Sequence, residues 1–290
     1  DVDGHTNLDN VSIAGVSTVQ ALTATTGNFS SSISATGGTF SGDVSVNSVE
    51  IADSVRHAGD TDTKIRFPAN DTISLETAGS ERLRIDSSGH MGLGVTPSAW
   101  PTNNDYKGLQ VGSGACIFGR GSGDEDRGGI AVNYYGTTSG AKYITNGHAA
   151  RIYMADGNIY LQNAAQNSSG VDQAMTLDTR LLIDSGGRVL IGTTTEGHVN
   201  ADNLTIADSG NSGITIRSGT SNNGIIYFSD GTSGASEYRG IIDYDHNDDS
   251  MSFTTNATER LRITSAGHVI LQGGIISVSY THLRAHETIA

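Results

Sequence analysis

The chain has one cysteine, Cys116, which excludes an intrachain disulfide framework and fits assembly in a reducing cytoplasm. Aromatic residues make up only 6% of it, with a single tryptophan, Trp100. Any core is therefore lean and built from Val, Ile, Leu and Ala. Positive charge is scarce as well. Three Lys and 14 Arg face 31 acidic residues, for a formal net charge of −14. A nucleic-acid partner would need a basic face to displace counterions from phosphates, and no stretch supplies one. No apolar run approaches the roughly 18 residues of a membrane-spanning helix, so membrane insertion is not expected. Convincing helical periodicity is also missing. The nearest candidate, "TVQALTATT" (18–26), is too rich in Thr to make a good helix. The first residue is Asp1 and the first methionine Met91, which predicts that the sequence starts inside a longer chain.

Glycine (38 residues), Ser, Thr and Asn fill the space. Charged residues are 17% of the total, below the roughly 25% of ordinary domains. Disordered chains carry more charge and fewer β-branched residues than this. The bias is that of β-structure with many turns.

One phrase occurs three times: "ERLRIDSSGHMGLG" (81–94), "TRLLIDSGGRVLIG" (179–192) and "ERLRITSAGHVILQ" (259–272). In each copy an Ile (Ile85, Ile183, Ile263) follows a Leu two residues earlier (Leu83, Leu181, Leu261). In each, a Gly stands four residues after the Ile (Gly89, Gly187, Gly267). Apolar residues two apart give the period of a strand with one buried face. Asp and Ser bond local backbone, and Gly accepts a positive φ. The phrase predicts a strand-turn-strand corner. "TISLETAG", "AMTLDT" and "SMSFTTNAT" place a short strand ahead of each corner, and "AARIYMADGNIYLQN", "GITIRSGTSNNGIIYFSDGTSG" and "YRGIIDYDHNDDS" read as further short strands with turn punctuation. Repetition on this scale implies stacked modules.

The N-terminal third repeats at an offset of eleven. Phe29 falls on Phe40, Ile33 on Val44 and Ser34 on Ser45, with Leu22 one step earlier. One chain of this composition buries too little apolar surface to offset an ordering entropy of roughly 1–2 kcal/mol per residue. Identical chains around an axis could pool these rows, so an oligomer is expected here. The number three does not follow from the pattern.

"ERLRIDSSGHMGLG", "YRGIIDYDHNDDSMSFTTNATERLRITSAGHV" and the opening "NLDNVSIAGVSTV" resemble tail-fibre and structural fibre proteins of marine tailed bacteriophages, over most of residues 5–275. The resemblance implies a trimeric, β-rich shaft on the virion, assembled in the host cytoplasm, that reaches or binds the host surface. Its partners would be further copies of itself, other virion tail proteins, and a host glycan or protein. Many such proteins end in a self-cleaving chaperone domain that drives trimerisation, and none is present in these 290 residues. The last stretch, "SVSYTHLRAHETIA" (277–290), breaks the style of the chain and resembles the translated read-through of a sequencing adapter. It is set aside from fold reasoning.

Chemistry-bearing clusters are few. His282 and His286 are spaced like zinc ligands on a helix, but Glu287 is misplaced for the zinc-protease motif and no third ligand is evident. "DYDHNDD" (243–249) bunches four carboxylates, yet Asp248 and Thr254 stand where a calcium loop needs Gly and Glu, so a wet hairpin turn explains it better. "GRGSGDEDRGG" (119–129) lacks a P-loop ending and is acidic at its centre. Asp124 and Asp126 could serve a glycosidase only across a sugar-binding cleft. That chemistry is the rival reading, a tailspike-type polysaccharide-degrading enzyme. A bacterial surface adhesin is a second rival. Tyr134, Tyr135 and Tyr143 are the best aromatic group for contacting a glycan, although tyrosines in alternating strands are more often packing. His90, Arg188 and His268 take equivalent places after the corner, which reads as a solvent-facing position. Arg82 with Arg84, and Arg260 with Arg262, could meet acidic residues of neighbouring chains.

The expected fold is all-β, an elongated series of repeat-built modules resembling a β-helix or β-prism fibre, as an intertwined homotrimer. The expected segments are an oligomeric stalk (1–60), β-modules at 61–98, 99–197 and 198–276, and a non-native tail (277–290). No catalytic, cofactor-binding or metal-binding residue is assigned.

Overall fold

The computed structural model describes residues 47–102, 106–120 and 126–273. The chain divides into two compact units, Asp1–Ala52 and Asp53–Ala290. The eleven-residue repeat, the 18–26 segment and the 277–290 tail lie outside the described residues. Among the described residues there is no α-helix, only a short 3-10 turn at Gly234–Tyr238, and the protein is all-β.

The first corner belongs to β1 (Ser54–His57), β2 (Asp60–Arg66), β3 (Ile73–Thr77), β4 (Ser80–Ile85) and β5 (Met91–Leu93). The second closes a longer run: β6 (Tyr106–Val111), β7 (Ala115–Arg120), β8 (Arg127–Val132), β9 (Tyr135–Thr137), β10 (Gly140–Lys142), β11 (Gly147–Ala155), β12 (Asn158–Asn167), β13 (Asp178–Ile183) and β14 (Val189–Ile191). The third follows β15 (Leu204–Ile206), β16 (Asn223–Phe228), β17 (Gly240–Asp245), β18 (Ser250–Thr255), β19 (Thr258–Ile263) and β20 (Val269–Leu271).

Thirteen strands form one sheet in chain order, from β1 to β15 with β9 and β10 left out as a separate two-stranded ribbon. Strands β16 to β20 form a second, five-stranded sheet. Neighbours are antiparallel except at two joints, β5 with β6 and β14 with β15, which are parallel. Two sequence expectations change here. Strand β1 and its turn put residues 54–60 in the sheet rather than in a stalk. The "GITIRS" stretch (213–218) alternates like a strand, but no described strand pairs with it, and Ile214 is 69% exposed. It lies between strands of two different sheets and joins the ladder of neither.

All three corners share one set of backbone hydrogen bonds. The N–H of Asp86, Asp184 and Thr264 donates to the carbonyl of His90, Arg188 and His268 at 2.9, 3.0 and 3.0 Å. The N–H of Gly89, Gly187 and Gly267 donates back to Asp86, Asp184 and Thr264 at 2.9, 2.9 and 2.8 Å. The three glycines have φ of 79°, 82° and 80°, a left-handed conformation that an L side chain enters only at a penalty. Upstream of each corner the ladder carries a β-bulge at the same step, after Leu75, Leu161 and Phe253. The repeated phrase therefore writes a repeated geometry.

Alternation along these strands separates two faces. On one face a continuous row crosses eleven strands: Ile73, Ile85, Met91, Leu109, Ile117, Ile130, Ile152, Leu161, Leu181, Ile191 and Ile206 are successive cross-strand partners. A parallel row runs Val55, Ile65, Leu75, Leu83, Leu93 and Val111. The five-stranded sheet repeats the theme with Ile226, Ile242, Phe253, Leu261 and Leu271. On the other face the eleven-strand series has as neighbours Ser74, Arg84, Gly92, Gln110, Cys116, Ala131, Arg151 and Gln162.

That second face carries the larger buried cluster among the described residues. Trp100, Phe118, Tyr134, Tyr135, Cys116 and Ile144 are buried together. Trp100 lies so close over Gly108 that a Cβ there would stand 2.7 Å from the indole, so glycine is the only residue that fits under it.

Candidate functional site

Three features of the fold could carry function: the joints, the apolar face, and an excursion from the middle of the large sheet.

At each parallel joint a basic side chain clips the corner to the incoming strand. His90 is 2% exposed, with Nδ1 3.1 Å from Asp86 Oδ2 and Nε2 3.1 Å from the Tyr106 carbonyl at the start of β6. Arg188 does the same work in the second copy. Its Nε donates to Asp184 Oδ2 at 2.7 Å and its Nη1 to Asp202 Oδ2 at 3.3 Å, just ahead of β15. The expectation of a solvent-facing position holds in full only for His268, which is exposed. It fails for His90, which the joint folds back over, and holds in part for Arg188, whose side chain stays 31% exposed; the local pattern does not encode that contact. The backbone and side-chain hydrogen bonds from Arg188 hold the Asp184 carboxyl below the usual carboxylate range. Arg188 is correspondingly raised, through Asp184 first and Asp202 second.

Arg82, Arg84 and Arg262 of the repeated phrase also find partners inside the chain. Arg84 forks onto Glu81 at 2.7 and 2.6 Å, and Arg262 onto Glu259 at 3.1 and 2.5 Å. Arg82 donates to Thr77 Oγ1 at 3.0 Å. Arg84 and Arg262 are thus engaged within their own strands, three residues from each glutamate, where the bulge brings both to one side. The forked bonds are the main cause that lowers Glu259 and raises Arg262.

The corner residues Leu83, Ile85, Leu181, Ile183, Leu261 and Ile263 lie on the apolar face, while Gly89, Gly187 and Gly267 make the turns. Among the described residues this face is largely uncovered. Ile117, Ile130 and Ile152, at its centre, are 54%, 55% and 47% exposed. Monomeric proteins rarely leave contiguous apolar surface on this scale.

The excursion is built from two loops, 133–146 with the β9–β10 ribbon and 168–177. They lace together through Tyr143 N–H to Gln173 O (3.0 Å), Asp172 N–H to Tyr143 O (3.0 Å) and Met175 N–H to Ala141 O (2.9 Å). The Tyr135 hydroxyl donates to Asp172 Oδ1 at 2.6 Å, and the Tyr143 hydroxyl to Ala165 O at 2.6 Å. Tyr134, Tyr135 and Tyr143 are 5%, 3% and 6% exposed, so the glycan-contact expectation for them is corrected. Their rings fill the core against Trp100, Phe118, Ala149 and Ala164, and Tyr143 also lines the wall of a surface groove. Burial pushes the Tyr134 hydroxyl up to about 12, and burial with the Asp172 carboxylate raises Tyr135 as well. Cys116, beneath them, donates to the Tyr134 carbonyl, and burial pushes its thiol up to about 12.

The acidic run at 243–249 covers the end of β17 and the hairpin turn to β18, with Asp245 and Asp248 accepting the N–H of Asn247 and Ser250. Among the described residues no group of three or more His, Cys, Asp or Glu is arranged to hold a metal. Asp124, His282, His286 and Glu287 lie outside the described residues.

No protein-family model matches the chain, and no curated protein is found as a relative.

Proposed function

We propose that the chain is a structural segment of a bacteriophage tail fibre, a homotrimeric β-prism-like shaft that serves host attachment and performs no catalysis itself. The single observation that carries this reading is the uncovered apolar row across eleven strands. An isoleucine half exposed in that row has about 1 kcal/mol to gain from a cover, and the row adds these gains strand by strand. A second copy presents the same row at the same spacing, so identical chains are the economical cover. The number three is what the resemblance of the repeated phrases to fibre proteins implies. Acidic net charge keeps such an assembly soluble and discourages unspecific sticking to anionic cells. Other tail proteins of the virion are the remaining partners, and weak receptor contacts at several fibres combine through effective concentration.

The test is sedimentation velocity on residues 1–276, alone and fused to a foreign trimerisation domain. A trimer with a high frictional ratio in either form supports the shaft. A well-folded globular monomer in both sinks it.

A further inference from the structure

Within an otherwise regular series of hairpins, the second corner has one local elaboration. The strand pair ahead of the first and third corners closes with two residues, Ala78 and Gly79 or Asn256 and Ala257. Ahead of the second corner, β12 and β13 are joined by the whole loop 168–177. Long ordered loops on a rigid scaffold are where proteins place binding groups. This loop is ordered by its lacing to 133–146: Asn167 Nδ2 donates to the carbonyls of Thr145 (3.3 Å) and Gly170 (2.6 Å), and Gly170 N–H donates to Asn146 Oδ1 at 2.8 Å.

Where the loop leaves β12 there is a groove of about 340 Å³ walled by Tyr143, Ala165, Gln166, Ser169, Gln173 and Thr176. Two of its polar side chains, Tyr143 and the buried Asn167, are engaged within the chain, and the rest are exposed and largely uncommitted. Among the described residues, none takes the Gln166 amide, the Ser169 hydroxyl or the Thr176 hydroxyl, and Gln173 uses only its Nε2, toward the Val171 carbonyl at 3.2 Å. None of the described residues lining the groove is charged. Nearby carboxylates are already engaged, Asp172 by Tyr135 and Asp178 by Arg180. The loops pack on the sheet face opposite the apolar rows, through Tyr143 on Ala149 and Ala164, so a cover over the apolar face leaves them free.

We infer that this groove binds a neutral carbohydrate. Amides and hydroxyls without charge match the alternating donors and acceptors of sugar hydroxyls. The absence of a lining cation among these residues disfavours sialylated, uronic or sulfated saccharides. The volume suits a short segment of a glycan chain rather than a large ligand. The site deepens the attachment reading, but it stands or falls separately from oligomerisation.

The experiment is a titration of the full chain with defined neutral oligosaccharides (gluco-, manno- and galacto-oligomers) and with an acidic set (oligosialic acid and sulfated oligosaccharides), followed by calorimetry and amide chemical shifts. The expected result is saturable binding of at least one neutral series, with shifts confined to 165–176. Gln166→Ala with Thr176→Ala weakens it about tenfold or more, while the circular dichroism spectrum is unchanged. Binding of the acidic set alone, binding that the double variant leaves intact, or no binding of any neutral series overturns the proposal. Sedimentation of the same samples scores the shaft reading independently. A trimer that ignores neutral sugars defeats the groove and leaves the shaft, and a sugar-binding monomer does the reverse.

Discussion

Arg188 meets Asp184 twice: its backbone N–H donates to Oδ1 at 2.9 Å and its Nε to Oδ2 at 2.7 Å. The depressed carboxyl gives this contact a pH signature. A carboxylate held below its unfolded value stabilises the fold above about pH 4 and loses that contribution as pH falls through its folded value. Asp184→Asn is therefore expected to lower the melting temperature at pH 6. The gap to the native chain should close as both are titrated below about pH 4. A gap independent of pH would show that the ionised contact is not what the aspartate supplies.

Gly187 has a φ of 82° and nothing within 4 Å of the position a Cβ would take. Gly187→Ala isolates the conformational penalty from any clash and is expected to destabilise by about 1–2 kcal/mol. At Gly92 a Cβ would stand 2.0 Å from the Val95 carbonyl oxygen. Gly92→Ala should therefore be markedly worse in the same chemical-denaturation assay.

Turn residues Asn256 and Ala257 both have positive φ, 50° and 55°. Two-residue hairpins of this kind favour Asn-Gly, so Ala257→Gly should stabilise by about 0.5–1 kcal/mol. The measurement is the midpoint of urea unfolding at constant m-value. An unchanged or lowered midpoint would mean that the turn relaxes in solution.

Cys116 is 1% exposed with its thiol pushed up to about 12. It should resist a thiol-reactive disulfide reagent at pH 8 and react stoichiometrically only after denaturation. Reaction within minutes under native conditions would place the aromatic core among the loosely held parts of the molecule.

Ile130, between Ile117 and Ile152, is the centre of the apolar row. Ile130→Asp should convert a trimer to monomers, because covering an unpaired carboxylate costs several kcal/mol per copy. Strand content by circular dichroism should survive. A trimer that tolerates the carboxylate would move the interface elsewhere.

The corners were legible because their determinants are local: Leu83, Ile85 and Gly89, and their counterparts, fix a strand, a turn and a positive φ within seven residues. Composition and alternation likewise sufficed for an all-β fold. The joints were illegible, since pairing β5 with β6 depends on a loop that lays Trp100 on Gly108, and nothing near His90 announces that Tyr106 will cover it. Alternation told which residues share a face but not which face the excursion would close. That is why Tyr134, Tyr135 and Tyr143 stayed open between packing and glycan contact until the fold placed them in the core. The groove residues Gln166, Ser169, Gln173 and Thr176 gave no signal of their own. Only the length of 168–177 beside its two-residue counterparts could have found them.

The clip at each joint has a genetic consequence. His90 and Arg188 each belong to the same phrase as the corner that they fasten, and their acceptors, Tyr106 and Asp202, open the segment that follows. Tandem duplication of one segment therefore brings both halves of a seam with it. Gene length can then change by whole segments without any neighbouring codon being altered.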